Sequence, residues 1–156
     1  MRDNLEWRIE THGDTAVVTL TGTVTERAAL EPLVGELASA GKVQFDLGEI
    51  RRLNSSGVRE WVEFMRALPA TVEARFDNCS TAVVHQINLI HGFTGRAKVC
   101  SIRVPFVCDG CGLEESTTLP VEHGVMPSLG DRTCKKCGRP MELDDIAESY
   151  FAFLLR

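Results

Sequence analysis

The chain has 156 residues, enough for one ordinary domain or for a domain of about 100 residues with a small appendage. Its apolar fraction of 44% can supply a real core, and its net charge of −5 argues against a broad phosphate-binding surface, which needs a basic excess. No stretch approaches roughly eighteen uninterrupted apolar residues, so no membrane span is expected. The opening Met1-Arg2-Asp3-Asn4 leads into a mixed polar segment without the apolar core of a secretory signal, and a cytoplasmic, reducing compartment is expected.

Residues 5–11 alternate apolar and polar, with Leu5, Trp7 and Ile9 on one side, the pattern of a half-buried strand. His12-Gly13-Asp14 reads as a turn, and residues 16–21 as a second strand closing a hairpin. Thr23 and Glu26 have capping-box spacing. Leu30, Leu33, Val34, Leu37 and Ala38 then form the stripe of an amphipathic helix. Pro32 fits only if the regular helix starts near Glu31 or its first turn is loose.

Gly41 ends that helix, and residues 42–47 read as a central strand followed by a loop over 48–54. A second helix is expected from about Ser56 to Leu68, with Val58, Trp61, Val62, Met65 and Leu68 inward and Pro69 as its stop. Residues 72–76 form another strand. Ser80 can cap a third helix carrying Val83, Val84, Ile87 and Ile90, with Gly92 at its end. Residues 97–107 read as one strand running, without a flexible linker, into the cysteine-rich part.

That part holds two matched knuckles, Cys108-Asp-Gly-Cys111-Gly and Cys134-Lys-Lys-Cys137-Gly, with 22 residues between them. Four thiolates close a tetrahedral zinc site, and a two-residue spacing lets each pair share one tight turn. Gly112 and Gly138 supply the positive φ such a turn needs. Two disulfides, suited to an exported chain, or four unrelated cysteines are the alternative. Lys135 and Lys136 offset the negative charge of a zinc tetrathiolate. Cys79 and Cys100 read as small buried apolar residues.

Residues 101–156 hold six basic and nine acidic side chains, a balance of −3, so a nucleic-acid role for the ribbon is disfavoured. After Asp144 or Asp145 a last amphipathic helix is expected, with Ile146, Tyr150, Phe153 and Leu154 on its stripe and Phe151 and Leu155 off it. It packs within the chain, or forms a homodimer or partner contact. No catalytic constellation stands out: His12, His85, His91 and His123 are scattered, and four cysteine ligands leave zinc no open position for water.

The order β-β-α-β-α-β-α, together with Val43-Gln44-Phe45-Asp46-Leu47 and Leu53-Asn54-Ser55-Ser56-Gly57-Val58, resembles the STAS family, the domains shared by sulfate transporters and anti-sigma-factor antagonists. That family typically carries a strand ending in Asp-Leu, a loop, and Asp-Ser-Ser-Gly-Leu opening a helix. The segment Cys79 to Phe93 is similar to its third helix. The resemblance covers about residues 5–100. It implies a binding module whose first motif serine, Ser55 here, is phosphorylated by a partner kinase to control partner exchange. This chain departs from the pattern at Asn54, where the family has Asp.

Read without the family, Ser55 lies at the mouth of a helix, where N–H groups and the dipole favour negative charge, and Ser55 or Ser56 can equally serve as an N-cap. Arg51, Arg52, Arg59 and Arg66 form either a strip that receives an acidic partner or phosphate, or an ordinary solvated face paired with Glu60 and Glu63.

The expectation is an α/β protein: a STAS-like mixed β-sheet backed by α-helices over 1–100, a zinc ribbon over 101–143 and an amphipathic helix over 144–156. The expected function is a non-enzymatic, bacterial-type signalling adaptor. It binds a regulatory protein, a kinase or an anti-sigma-like factor, through Asn54, Ser55, Ser56, Gly57 and Arg59. A nucleic-acid-associated transcriptional regulator using the ribbon is the alternative, and a small-molecule sensor with ligand between sheet and ribbon is a third reading.

Overall fold

The computed structural model describes residues 4–156. The expectation drawn from Met1-Arg2-Asp3, that no secretory signal opens the chain, lies outside the described residues. Among the described residues, no helix is long and apolar enough to cross a membrane.

Period-two alternation builds the first hairpin. β1 (Glu6–His12) pairs antiparallel with β2 (Thr15–Val24), with Glu6 opposite Thr21 and His12 opposite Thr15. Gly13 turns the chain with φ +62. α1 (Glu31–Leu37) follows, and Pro32 sits in its first turn, where a missing N–H costs nothing. The Thr23–Glu26 capping box does not form. Thr23 is inside β2 and buried, because the strand runs three residues further than its apolar pattern indicates.

β3 (Lys42–Leu53) is central and long. It is parallel to β2 on one side and to β4 (Glu73–Asp77) on the other, and β5 (Lys98–Val99) completes the order β1-β2-β3-β4-β5. The loop expected over 48–54 is therefore mostly strand. Register shifts between Thr19 and Thr21 and between Gly22 and Thr23 let β2 and β3 stay paired past Gly48, which hides the period-two signal. Gly22 is required there: at φ +120, a Cβ would lie 2.1 Å from the Asn4 carbonyl oxygen.

Between the parallel strands run the crossover helices α2 (Ser55–Ala67) and α3 (Thr81–Leu89). The element order β-β-α-β-α-β-α implied by the STAS resemblance is the order found. The buried face of β3, carrying Val43, Phe45 and Leu47, receives α2. Phe45 meets Trp61, Phe64 and Phe76 edge-on, each at 5.9 Å between ring centroids, and Trp61 stacks on Phe93 at 5.8 Å. The Trp61 indole N–H donates to the Phe93 carbonyl at 3.1 Å, so this buried polar tip is satisfied.

The strand expected over 97–107 breaks at Cys100. β5 ends the first sheet and β6 (Ser101–Cys108) starts a second, antiparallel sheet with β7 (Glu114–Pro120) and β8 (Met141–Leu143), in the order β7-β6-β8. The sheets are tied at this corner: the Cys100 N–H donates to Phe76, and Cys79 exchanges backbone hydrogen bonds with Ser101 and Arg103. One buried cluster runs from Ala16 in β2 to Leu154, so the ribbon is packed onto the sheet rather than tethered to it. Cys79 is fully buried as expected, whereas Cys100 is only half-buried.

The final segment is not one continuous helix. α4 (Ala147–Tyr150) has no side-chain N-cap and gives way to a 3-10 turn, Ala152–Leu154. Asp145 instead accepts from the adjacent Ile146 N–H and faces His85 at 2.8 Å. The break turns Phe151, expected off the apolar stripe, to 1% exposure, while Ile146, expected on it, stands 65% exposed. Tyr150, Phe151, Phe153 and Leu154 are all buried within the chain, so these side chains are not available to a homodimer contact. The segment is pinned to α3: Asn88 Nδ2 donates to the Tyr150 carbonyl at 3.0 Å, and Asn88 Oδ1 accepts from the Phe153 N–H at 2.9 Å.

Candidate metal centre and serine loop

Alternation along β6 places Ile102, Val104, Phe106 and Cys108 on one buried side, so the strand delivers the first thiol directly to the edge of the core. The chain then repeats one backbone device twice. In the first knuckle, Cys108 N–H donates to the Leu113 carbonyl at 2.8 Å and Gly112 N–H to the Cys108 carbonyl at 2.9 Å. In the second, Cys134 N–H donates to Arg139 at 2.8 Å and Gly138 N–H to Cys134 at 2.9 Å. Gly112 and Gly138 both have φ +77, the conformation that favours glycine.

The two knuckles face each other. Cys108 Sγ lies 3.3 Å from Cys137 Sγ, Cys111 Sγ lies 3.6 Å from Cys134 Sγ, and all four sulfurs lie within 4.8 Å of one another. Four thiolates at about 2.3 Å from a tetrahedral zinc stand about 3.8 Å apart, so this spacing fits such an ion. None of the six cysteines is in a disulfide. Cys108 and Cys134 are buried, and Cys111 and Cys137 are exposed, so the cluster opens to solvent on one side.

The sulfurs are also prepared for negative charge. Cys111 N–H points at Cys108 Sγ at 3.5 Å and Lys136 N–H at Cys134 Sγ at 3.4 Å. The Cys111 N–H pulls the Cys108 thiol down to about 6, against its burial. The Arg139 N–H lowers Cys137, yet that thiol ends at about 11, because the neighbouring Cys108 sulfur takes the first negative charge. A divalent cation removes this competition by holding all four as thiolates. The Arg139 side chain lies across the first knuckle, where a Cβ on Gly110 would meet its Cδ at 2.4 Å.

The serine segment lies where β3 ends and α2 begins. Asn54, not Ser55 or Ser56, is the N-cap of α2: its Oδ1 accepts from the Gly57 N–H at 2.7 Å. Its backbone N–H donates to the Val24 carbonyl at 3.1 Å, and its Nδ2 donates to Glu26 Oε2 at 3.1 Å. The Glu26 carboxyl is held below its ordinary value by its own backbone first and by the Asn54 amide second.

Gly57 is buried against β2. A Cβ there would lie 1.9 Å from the Val24 carbonyl oxygen, so the helix can seat this closely only with glycine. Ser55 and Ser56 occupy the first turn and are both exposed. Arg59 and Arg66 are exposed on α2, and Arg51 and Arg52 are exposed on β3 rather than in a loop. Of the residues read from sequence as the partner-binding group, Asn54, Ser55, Ser56 and Arg59 are exposed and Gly57 is buried. Glu26, the partner of Asn54, was not among them, because its spacing from Thr23 pointed to a local cap. The four knuckle cysteines come together as expected.

Compared with known proteins, the chain matches no family model and no curated protein. Among solved structures it is similar to one described as the crystal structure of an anti-sigma factor antagonist from Mycobacterium paratuberculosis. That alignment has 21% identity and a TM-score of 0.46, and covers 57% of this chain and 80% of the other.

Proposed function

We propose that this chain is a non-enzymatic signalling adaptor of a bacterial cytoplasm. It binds a regulatory protein, a kinase or an anti-sigma-like factor, through the start and outer face of α2, and phosphorylation of Ser55 switches that contact. The observation that carries the reading is the exposure of Ser55 and Ser56 on a helix start that Asn54 and Gly57 lock from behind.

The physics of that position suits a charge switch. A phosphate on Ser55 adds about −1.5 to −2 charges. The helix dipole favours negative charge at its N-terminus by about 0.3–1 kcal/mol, so α2 keeps its form while its surface changes sign. Arg59 is one helical turn away on the same face and can contact the phosphate or an acidic partner.

The four cysteines hold zinc in this reading. With all four as ligands the ion has no open position, so its role is to stabilise the ribbon rather than to activate water. Nucleic-acid binding is not part of the proposal, given the −3 balance over 101–156. The test is to incubate the protein with a lysate of its native host and ATP, map phosphate by mass spectrometry, and compare partner capture by wild type and Arg59→Glu. Phosphate on Ser55 and weakened capture by Arg59→Glu are expected. A chain that takes up no phosphate and binds identically in both forms contradicts the proposal.

A further inference from the structure

Where the C-terminal segment crosses the end of α3, the structure leaves a crevice of about 510 Å³. This is within the size range of small-molecule sites. Its floor is apolar: Ile87 from α3, and Phe153 and Leu154 from the final turn, are each 7% exposed or less. Its rim is basic. His91, Lys98, His123 and Arg156 line it, and among the described residues no Asp or Glu does.

That composition reverses the character of the chain, which has an acidic excess overall and over its ribbon half. Among the described residues, none of these four side chains forms an ion pair with an Asp or Glu. Two of them are fixed. Arg156 donates to the carbonyls of Ile87 and Asn88 at the end of α3, and His123 Nε2 contacts the Arg156 backbone oxygen at 2.6 Å. The rim is thus partly pre-oriented, which reduces the ordering cost of binding.

We propose that this crevice binds a small amphipathic carboxylate. Its apolar body lies on Ile87, Phe153 and Leu154, and its anionic head meets Lys98 and the basic rim. A wholly apolar ligand leaves Lys98 and Arg156 without a counter-charge, and a bare inorganic anion leaves the floor wet. The site draws on α3, β5, the ribbon loop carrying His123 and the final turn, so an occupant bridges the two halves of the chain. It does not depend on Ser55.

Calorimetric titration of the full, zinc-loaded chain tests this, with octanoate, octanol and inorganic phosphate as probes. Octanoate binds saturably, and the other two bind at least about tenfold more weakly, since a charge-assisted hydrogen bond and apolar burial each contribute that much. Lys98→Met weakens octanoate by about three- to tenfold without altering the thermal midpoint of the free protein, because Lys98 is exposed and, among the described residues, in no ion pair. Ala97→Trp, which fills the crevice from its lining, abolishes binding. Absence of saturable octanoate binding overturns the proposal. So does equal affinity for octanol or phosphate, or octanoate binding unchanged in both variants.

Discussion

The side-chain amide of Asn54 joins two segments 28 residues apart, donating from Nδ2 to Glu26 Oε2 at 3.1 Å while its Oδ1 caps α2. One side chain therefore sets both the start of the helix that carries Ser55 and the position of the carboxylate beside it. An aspartate at 54 would keep the cap and lose the donor, and would place a second negative charge against Glu26.

Asn54→Asp is accordingly expected to lower stability at neutral pH and to recover on acidification, as the two carboxylates come to share a proton. Glu26→Gln in the same background should restore it. In the wild-type chain the sign is opposite. The Glu26 carboxyl is lowered from 4.5, so its stabilising contribution is present above that value and is lost as pH falls through the lower, folded one. Urea unfolding between pH 3 and 8, an interval of about five units around the carboxylate range, distinguishes the two slopes. Asn54→Ala should cost about 1 kcal/mol through loss of the cap, and more where Glu26 is ionised, because the amide that bonds its carboxylate is lost as well.

Gly57→Ala should destabilise by about 1–3 kcal/mol, because its Cβ would meet the Val24 carbonyl oxygen at 1.9 Å and backbone must move. The check is the denaturation midpoint at unchanged m-value. Gly112 makes a useful comparison, since its Cβ would meet nothing within 4 Å and only the left-handed φ opposes substitution.

Elemental analysis of the purified chain should find zinc bound by the four-cysteine cluster, and removing it with a strong chelator should unfold the ribbon. Thiol labelling follows the same logic. In the loaded protein the knuckle thiols are protected and Cys79 is fully buried, so half-buried Cys100 is the one expected to react. After chelation the four knuckle thiols become reactive as well.

Tyr150→Phe removes a hydroxyl that donates to the Arg103 carbonyl at 2.5 Å and contacts Thr81 Oγ1 at 3.4 Å, joining the final segment to both β6 and α3. The expected cost is about 1–2 kcal/mol, read by urea unfolding. Burial pushes the Tyr150 phenol up to about 12, so its ultraviolet titration in the folded protein should lie well above that of a free tyrosine.

The parts of the fold that were legible in sequence are those where a local pattern reports directly on burial. Alternation located β1 and most of β2, the stripe through Val58, Trp61 and Met65 located α2, and Ser80 capped α3 as expected, accepting from the Val83 N–H at 3.3 Å. The matched knuckles placed four thiols together, because a two-residue spacing with a following glycine fixes each turn by itself. The failures have tertiary causes. The second half of β3 is held by pairing across bulges, and the final segment breaks its helix to bury Phe151. Asn54 and Ser55 both suit a helix start. Asn54 takes the cap in the fold, where its Oδ1 accepts from the Gly57 N–H and the Val24 carbonyl receives its backbone N–H.

The most direct measurement is partner capture from the native host by wild type and by Ser55→Glu, with salt titrated in both and circular dichroism confirming equal folding. The account predicts a protein partner that binds wild type and is lost with Ser55→Glu, because a negative charge is added to an exposed surface at the start of α2. Capture of the same partners by both forms, with the same salt dependence, would contradict it.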